Sequence, residues 1–373
     1  MLEESERLDK EGKEYTETLK LVPKFKEAKY NRDSAETSFG TDHEKYEGMT
    51  MKRMHAVAGI ALLCLAALCF GAGVRSAWSA EKPYPTHQIN YMVCFDPGGQ
   101  SDREARRQAP LLEKLLGQKV MIDYKIGGGG ALGWRELTKA KPDGYTIAGF
   151  NIPHVILQPL QQDVGYKTEQ IVPVFIFHKT PLALAVLATS PYKTVKDLID
   201  YAKKHPGAVT VGGSGSFSGY HMATLRFEKM IGAKLTYVPF TGAAPQMTNF
   251  LGGHVLAVFG ASDDLTRYKD KVRVLGFATE NRFPGFPDVP TLKEQGFDMV
   301  EGVDRGIAVP PNTPANVIKT LESAFMDIAQ RPEFKEEQRK GGFIPLAMGH
   351  EEVKAYMKRM TALYTELAKG LKK

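Results

Sequence analysis

Cysteine is scarce, with three in 373 residues. Cys64 and Cys69 fall inside one apolar run, so Cys94 stands alone in the rest of the chain. A lone thiol closes no internal disulfide in any redox compartment, which excludes a disulfide-built fold. Metal-ligand spacing is missing too. His154, His178, His205, His221 and His254 are scattered, without an H-E-x-x-H or a His/Cys cluster, and no metal is expected. No G-x-S-x-G surrounds Ser214, Ser216 or Ser218, so a nucleophile elbow is unsupported. Neither end of the region after residue 80 carries a Lys/Arg block, and a nucleic-acid partner is not expected. The 43% apolar and 25% charged content is that of a globular chain, and the length suggests two domains.

What is present is unevenly charged. Residues 1–50 carry 13 acidic and 9 basic side chains, and the segment after residue 80 carries 30 acidic and 37 basic ones. A net charge of +7 over that segment mildly favours anions and demands no polyanion. Between them, Met51-Lys52-Arg53 opens a 15-residue apolar run over 56–70, which leads to Ala77-Trp78-Ser79-Ala80. A basic start, a short apolar run and a small-residue exit describe a secretory signal peptide over 51–80. The alternative, a membrane-anchoring helix, needs about 20 apolar residues. Cleavage after Ser79 places small residues at the right spacing, and Met49 or Met51 is then the expected start. Residues 1–50 would be an acidic leader that is untranslated or disordered. Leu63 and Leu68 precede the two signal cysteines where a lipidated cysteine needs a small residue, which argues against a lipoprotein. No twin-arginine pair precedes the run, so export of an unfolded chain without a cofactor is expected.

From residue 84 onward strand-like and helix-like segments alternate. Residues 88–95 (QINYMVCF) read as a strand, 102–116 as a helix and 120–126 as a strand, followed by a glycine run and a strand over 145–150. Strands follow at 182–188, 209–212, 235–240 and 255–259, with helices at 195–204, 221–231 and 244–251 between them. Helices at 313–330, 332–340 and 351–369 end the chain. This rhythm indicates mostly parallel sheets flanked by helices.

Three segments run from a strand through small residues into a helix: Asp96-Pro97-Gly98-Gly99-Gln100-Ser101-Asp102, Gly212-Gly213-Ser214-Gly215-Ser216 and Thr241-Gly242-Ala243-Ala244. Glycine lets the backbone approach a ligand, free amides at a helix start attract an anion, and hydroxyls add directed donors. Each such loop alone is equally a tight turn. Gly128 to Gly133 matches G-x-G-x-x-G, yet the ribose-binding carboxylate expected about 20 residues on is absent, and no dinucleotide is expected. Asp263 and Asp264 are adjacent and serve a capping role as readily as a functional one.

Several phrases, in order, carry a family resemblance. They are Phe95-x-Pro97-Gly98-Gly99-x-Ser101-Asp102-x-x-x-Arg106, Pro142-Asp143-Gly144-Tyr145-Thr146 and Gly213-Ser214-Gly215 with His221. Further on come Val238-Pro239-Phe240-Thr241-Gly242-Ala243-Ala244-Pro245, Pro287-Asp288-Val289-Pro290-Thr291-Leu292 and Pro310-x-x-Thr313-Pro314. Together they resemble the periplasmic substrate-binding receptors of tripartite tricarboxylate transporters, the Bug-type receptor family. The resemblance implies an α/β, two-lobed, type II periplasmic-binding-protein (Venus-flytrap) fold. Lobe one would comprise 84–184 plus 307–373 and lobe two 185–306.

It also implies a non-enzymatic, monomeric receptor in the periplasm, without a cofactor. Such a receptor would bind a small organic acid or amino acid and pass it to integral membrane permease subunits. The ligand-binding residues expected are Gly98, Gly99, Gln100, Ser101, Asp102, Asn151, His154, Ser214, Ser216, Thr241, Gly242, Ala243 and Asp263. Asp102 is expected to fix the first loop, and neutral donors are expected to suffice. Asp96 departs from the family pattern, and so does Tyr124-Lys125-Ile126. An exported hydrolase using Ser216 and His221, or a sensory receptor, are the alternatives.

Overall fold

The computed structural model describes residues 83–371, so the leader, the signal segment and their two cysteines lie outside the described residues. Chain order gives β1 (Ile89–Val93), α1 (Gln100–Leu116), β2 (Val120–Tyr124), α2 (Ala131–Lys139), β3 (Thr146–Ile152) and α3 (His154–Gln161). The long strand β4 (Val172–Leu187) follows, then α4 (Val195–Lys204), β5 (Thr210–Ser214), α5 (Gly219–Ile231), β6 (Thr236–Phe240) and α6 (Ala243–Leu251). The chain continues through β7 (Ala257–Ala261), α7 (Ser262–Arg267), β8 (Val272–Phe277) and β9 (Gly302–Val309). It ends with α8 (Ala315–Gln330), α9 (Pro332–Lys340), β10 (Ile344–Met348) and α10 (His350–Leu371).

The strands order as β2-β1-β3-β9-β4-β7-β5-β6, with β8 and β10 also pairing with β4. The strand–helix–strand units pair in parallel, as their spacing predicts: β1 with β2 and β3, and β5 with β6 and β7. All pairings of β4, and that of β3 with β9, are antiparallel, so the architecture is mixed α/β. β4 changes partners along its length. Residues 172–181 pair with β9, while 182–187 pair with β7 and β8.

That change divides the core into two lobes. Around the first part, Ile89, Leu112, Phe175, Ile307 and Phe325 pack on one sheet face, and Trp134, Phe150, Ile176 and Met357 on the other. Around the second part, side chains along β4 alternate. Leu182, Leu184 and Val186 join Phe227 and Phe259, while Ala183 and Ala185 join Phe250 and Phe277. Alternation with a period of two explains why this second part of β4, apolar at every position from Leu182 to Leu187, serves two cores at once.

Helix ends follow local chemistry. Thr194 and Asp197 form a capping box on α4, and the Ser218 hydroxyl accepts the His221 amide at the start of α5. Gly129 and Gly215, both at positive φ (63° and 80°), belong to loops of different lobes, and a Cβ on Gly215 would lie 3.0 Å from the Gly129 Cα. The glycine run therefore packs against the other lobe's glycine loop, which explains its composition without a nucleotide.

Candidate functional site

The loops leaving β1, β3, β5 and β6 open at the carboxyl ends of those strands, where open α/β sheets place ligands. They surround a narrow cleft, with about 250 Å³ of empty space counted out through its open mouth. Gly99, Gln100 and Ser101 enter it from the start of α1, Asn151 and His154 from the end of β3, Ser214 from β5 and Ala243 from the start of α6. Seven of the thirteen residues expected from sequence are thus brought together. Phe95, Tyr220 and Arg305 complete the lining. Helix starts leave amides without intrahelical partners, so α1 and α6 both present donors and a positive dipole end here.

The remaining expected residues lie outside the lining. Asp102 is buried behind the first loop. Its carboxylate accepts the Gly98 amide at 2.7 Å, the Tyr124 hydroxyl at 2.6 Å and Arg106 Nε at 2.8 Å. Burial alone would raise the Asp102 pKa, but the bonds from Tyr124 and Gly98 and the charge of Arg106 outweigh it and hold the carboxyl below the ordinary range. It therefore fixes Gly98 in place. Ser216 and Thr241 are exposed, and Gly242 is buried against Asp96, whose Oδ2 would lie 2.7 Å from a Cβ there. Asp96 thus sits at the seam of two loops, with Oδ2 buried and lacking a hydrogen-bond partner.

Asp263 and Asp264 are engaged elsewhere. Arg103 donates to Asp263 Oδ2 at 2.6 Å and to Asp264 Oδ1 at 3.1 Å, and the Gln100 amide nitrogen donates to both carboxylates. Burial raises both carboxyls. For Asp264 the neighbouring charge of Asp263 adds to the effect, and its pKa is pushed up to about 7 against the pull of Arg103.

Arg305 was not expected from sequence. It is 4% exposed on β9, in register with Asn151 on one side and His178 on the other. Its guanidinium donates to Thr180 Oγ1 at 2.6 Å and to Gln100 Oε1, while Nε is buried without a partner. The signal was a charged pair, Asp304-Arg305, inside the otherwise uncharged strand GVDRGIAV. The cleft thus contains a buried arginine where neutral donors alone were expected. His154 is held neutral beside it. Burial and then the Arg305 charge push its pKa down to about 3, and its Nδ1 lacks a partner.

Chemistry for catalysis is not assembled around Ser216. His221 Nδ1 accepts the Phe217 amide at 3.2 Å, and its ring stacks on Tyr237 at 4.2 Å. Burial raises the Cys94 thiol pKa, removing thiolate reactivity. Among the described residues no His/Cys/Asp/Glu group could hold a metal ion, and no helix is long and apolar enough to cross a membrane. A larger groove, about 1240 Å³ with its open mouth, lies between α10 and the start of β4. It lacks the buried, convergent polar groups of the inter-lobe cavity.

Two lobes joined through shared strands, with helix starts and buried polar groups converging between them, define a solute-binding receptor of the periplasmic-binding-protein class. The model of the tripartite tricarboxylate transporter family receptor, TctC, matches residues 105–369, and this chain belongs to that family. Its members are periplasmic substrate-binding receptors, not enzymes. Protein BugT of Bordetella pertussis is 28% identical over 315 residues, 83% of this chain and 94% of the relative. A UPF0065 protein of Cupriavidus necator is 29% identical over 304 residues, 81% and 92% of the two chains. Among solved structures, the periplasmic binding protein BugD aligns with a TM-score of 0.73 at 26% identity, covering 77% of this chain and 98% of that one. An R. palustris protein solved with adipate aligns with a TM-score of 0.74 at 25% identity, over the same shares.

Proposed function

We propose that this chain is exported by the segment 51–80 and binds a small carboxylate-containing solute between its lobes. It then presents the closed, loaded form to the permease subunits of a tripartite tricarboxylate-type transporter. The observation that carries this reading is the meeting, in one cavity, of the α1 and α6 starts with Ser101, Ser214 and Arg305. Gln100, Ser101 and Ala243 would hold the carboxylate through backbone amides, with Ser101 and Ser214 adding hydroxyl donors, while Gly99, whose amide donates to the Asp96 carbonyl at 3.2 Å, would shape the turn. Asp102 supports the first loop from behind. Ser216, Thr241 and Gly242 would act through the shape of the loop rims, and Asp263 through its contact with Gln100. The adipate in a structural neighbour supports the solute class.

Lobe closure would bend the chain where β4 changes partners, at 181–182, and where β9 begins, at Gly302. These points lie a few residues from the crossings expected near 184 and 306. Closing excludes water and ties affinity to conformation. Thermal unfolding of the purified protein against monocarboxylates, dicarboxylates, tricarboxylates and amino acids tests the reading. A ligand at 100 times its Kd adds about 2.7 kcal/mol. Flat melting curves across the panel would refute it.

A further inference from the structure

We propose that Phe217, on the loop between β5 and α5, is an apolar latch that holds lobe two closed on lobe one at a point apart from the solute cleft. The latch presupposes the lobe closure of the receptor reading above and makes Phe217 a positioning residue for every ligand alike.

The core that contains Trp134, Phe150, Ile176 and Met357 is built from lobe one, its other members lying within residues 92–176 and 308–367. Two residues of lobe two intrude on it. Met222, on the first turn of α5, is a buried member of the cluster, and the half-buried Phe217 packs against it. With Leu225 they line a recess against Leu157 and Gln161 of α3 and Ala368 of α10. This recess shares no lining residue with the cleft at the strand ends. The start of α5 fits closely there, since a Cβ on Gly219 would stand 3.2 Å from the Pro153 ring. Apolar surface taken out of water in this way favours the closed arrangement whatever the ligand is.

The backbone at Phe217 is held in place for this contact. Its φ is 49°, and among the described residues Asn312 is the only other non-glycine residue at positive φ. A bulky side chain avoids that region, and such a conformation persists only where its surroundings over-determine it. Here the Phe217 amide donates to His221 Nδ1 at 3.2 Å. Ser218 Oγ donates to the Gly215 carbonyl at 2.9 Å and accepts the His221 amide at 3.2 Å. A glycine at 217 would make the same turn without strain, in a stretch that already holds Gly212, Gly213, Gly215 and Gly219. The strain is therefore borne for the ring, which reaches the other lobe.

Spin labels on Lys125→Cys of lobe one and Thr248→Cys of lobe two, both exposed positions, report the distance between the lobes. The full chain would carry C64S and C69S, and Cys94 is buried. Ligand-free wild type is expected to show a closed population. Phe217→Ala should lower its closed-to-open ratio about tenfold, the scale for losing a half-buried aromatic ring. Adipate, titrated by calorimetry, should then bind more weakly by a similar factor. Phe217→Leu should keep most of the closure, whereas Phe217→Gly, which relieves the backbone but lacks the ring, should open as F217A does. A ligand-free wild type without a closed population would overturn the latch. Equal distances in wild type and F217A, or an F217G that closes as wild type does, would overturn it too. If F217A does not fold, F217G decides alone. Should no acid of the panel bind, the receptor reading falls, and the ligand-free distances still judge the latch.

Discussion

Substituting Gly215 by Ala tests whether the two glycine loops meet when a ligand is bound. Gly215 sits at φ 80°, and an added Cβ would stand 3.0 Å from the Cα of Gly129, a residue of the other lobe with no flexible side chain to move aside. Gly232 at the end of α5 provides the control: its φ is 61°, and a Cβ there meets nothing within 4 Å. Both substitutions carry the left-handed backbone cost of about 1–2 kcal/mol, measurable as lost stability in urea unfolding. Only G215A also adds an overpacked contact, worth about 1–3 kcal/mol, between surfaces that close together. With half or more of that falling on the closed form, G215A should weaken carboxylate binding by about tenfold, the equivalent of 1.4 kcal/mol. G232A should bind as the wild type does. Titration with the tightest acid of the panel distinguishes them. Equal affinities of the two variants would refute the idea that this contact belongs to the closed state.

Two further outcomes follow from buried titratable groups. The Asp264 pKa lies near 7 in the fold and near 3.8 once unfolded, so the folded state holds the extra proton. Its contribution to stability is complete below about pH 4 and is lost as pH rises through 7, and Asp264→Asn should flatten that part of the profile in urea unfolding at pH 5 and pH 8. A profile that D264N leaves unchanged would place the titration elsewhere. His154, with a pKa near 3, should remain neutral at pH 5 by NMR, and a protonated ring there would mean that the cleft is wetter than its burial implies.

Local chemistry made much of this fold legible. The helices at 195–204 and 332–340 fall where capping and periodicity place them, and strand-to-helix loops announce themselves through Gly and Ser next to apolar runs. The first half of β4 did not, because Pro173, His178, Lys179 and Pro181 interrupt it in a way that reads as loop. Those residues are tolerated because the strand shifts register against β9 and ends one set of pairings at Pro181. α3, with Pro159 inside it, and the six-residue α7 carry too little periodic signal to be read as helices. At the site, the loops were visible and Arg305 was not. Its partner Gln100 lies 205 positions away, so only the pairing of β9 with β3 and β4 brings the two together.

The long strand also orders the making of the molecule. β4 occupies residues 172–187, yet each strand it pairs with (β7, β8, β9 and β10) lies between residues 257 and 348. A chain emerging from the ribosome therefore carries its central strand bare on both edges until the last third has been synthesised. Contacts that distant in sequence close slowly, because a long loop must be ordered before any of them forms. Topology alone delays folding, which would suit the export proposed above, in which the chain passes a membrane before it is compact.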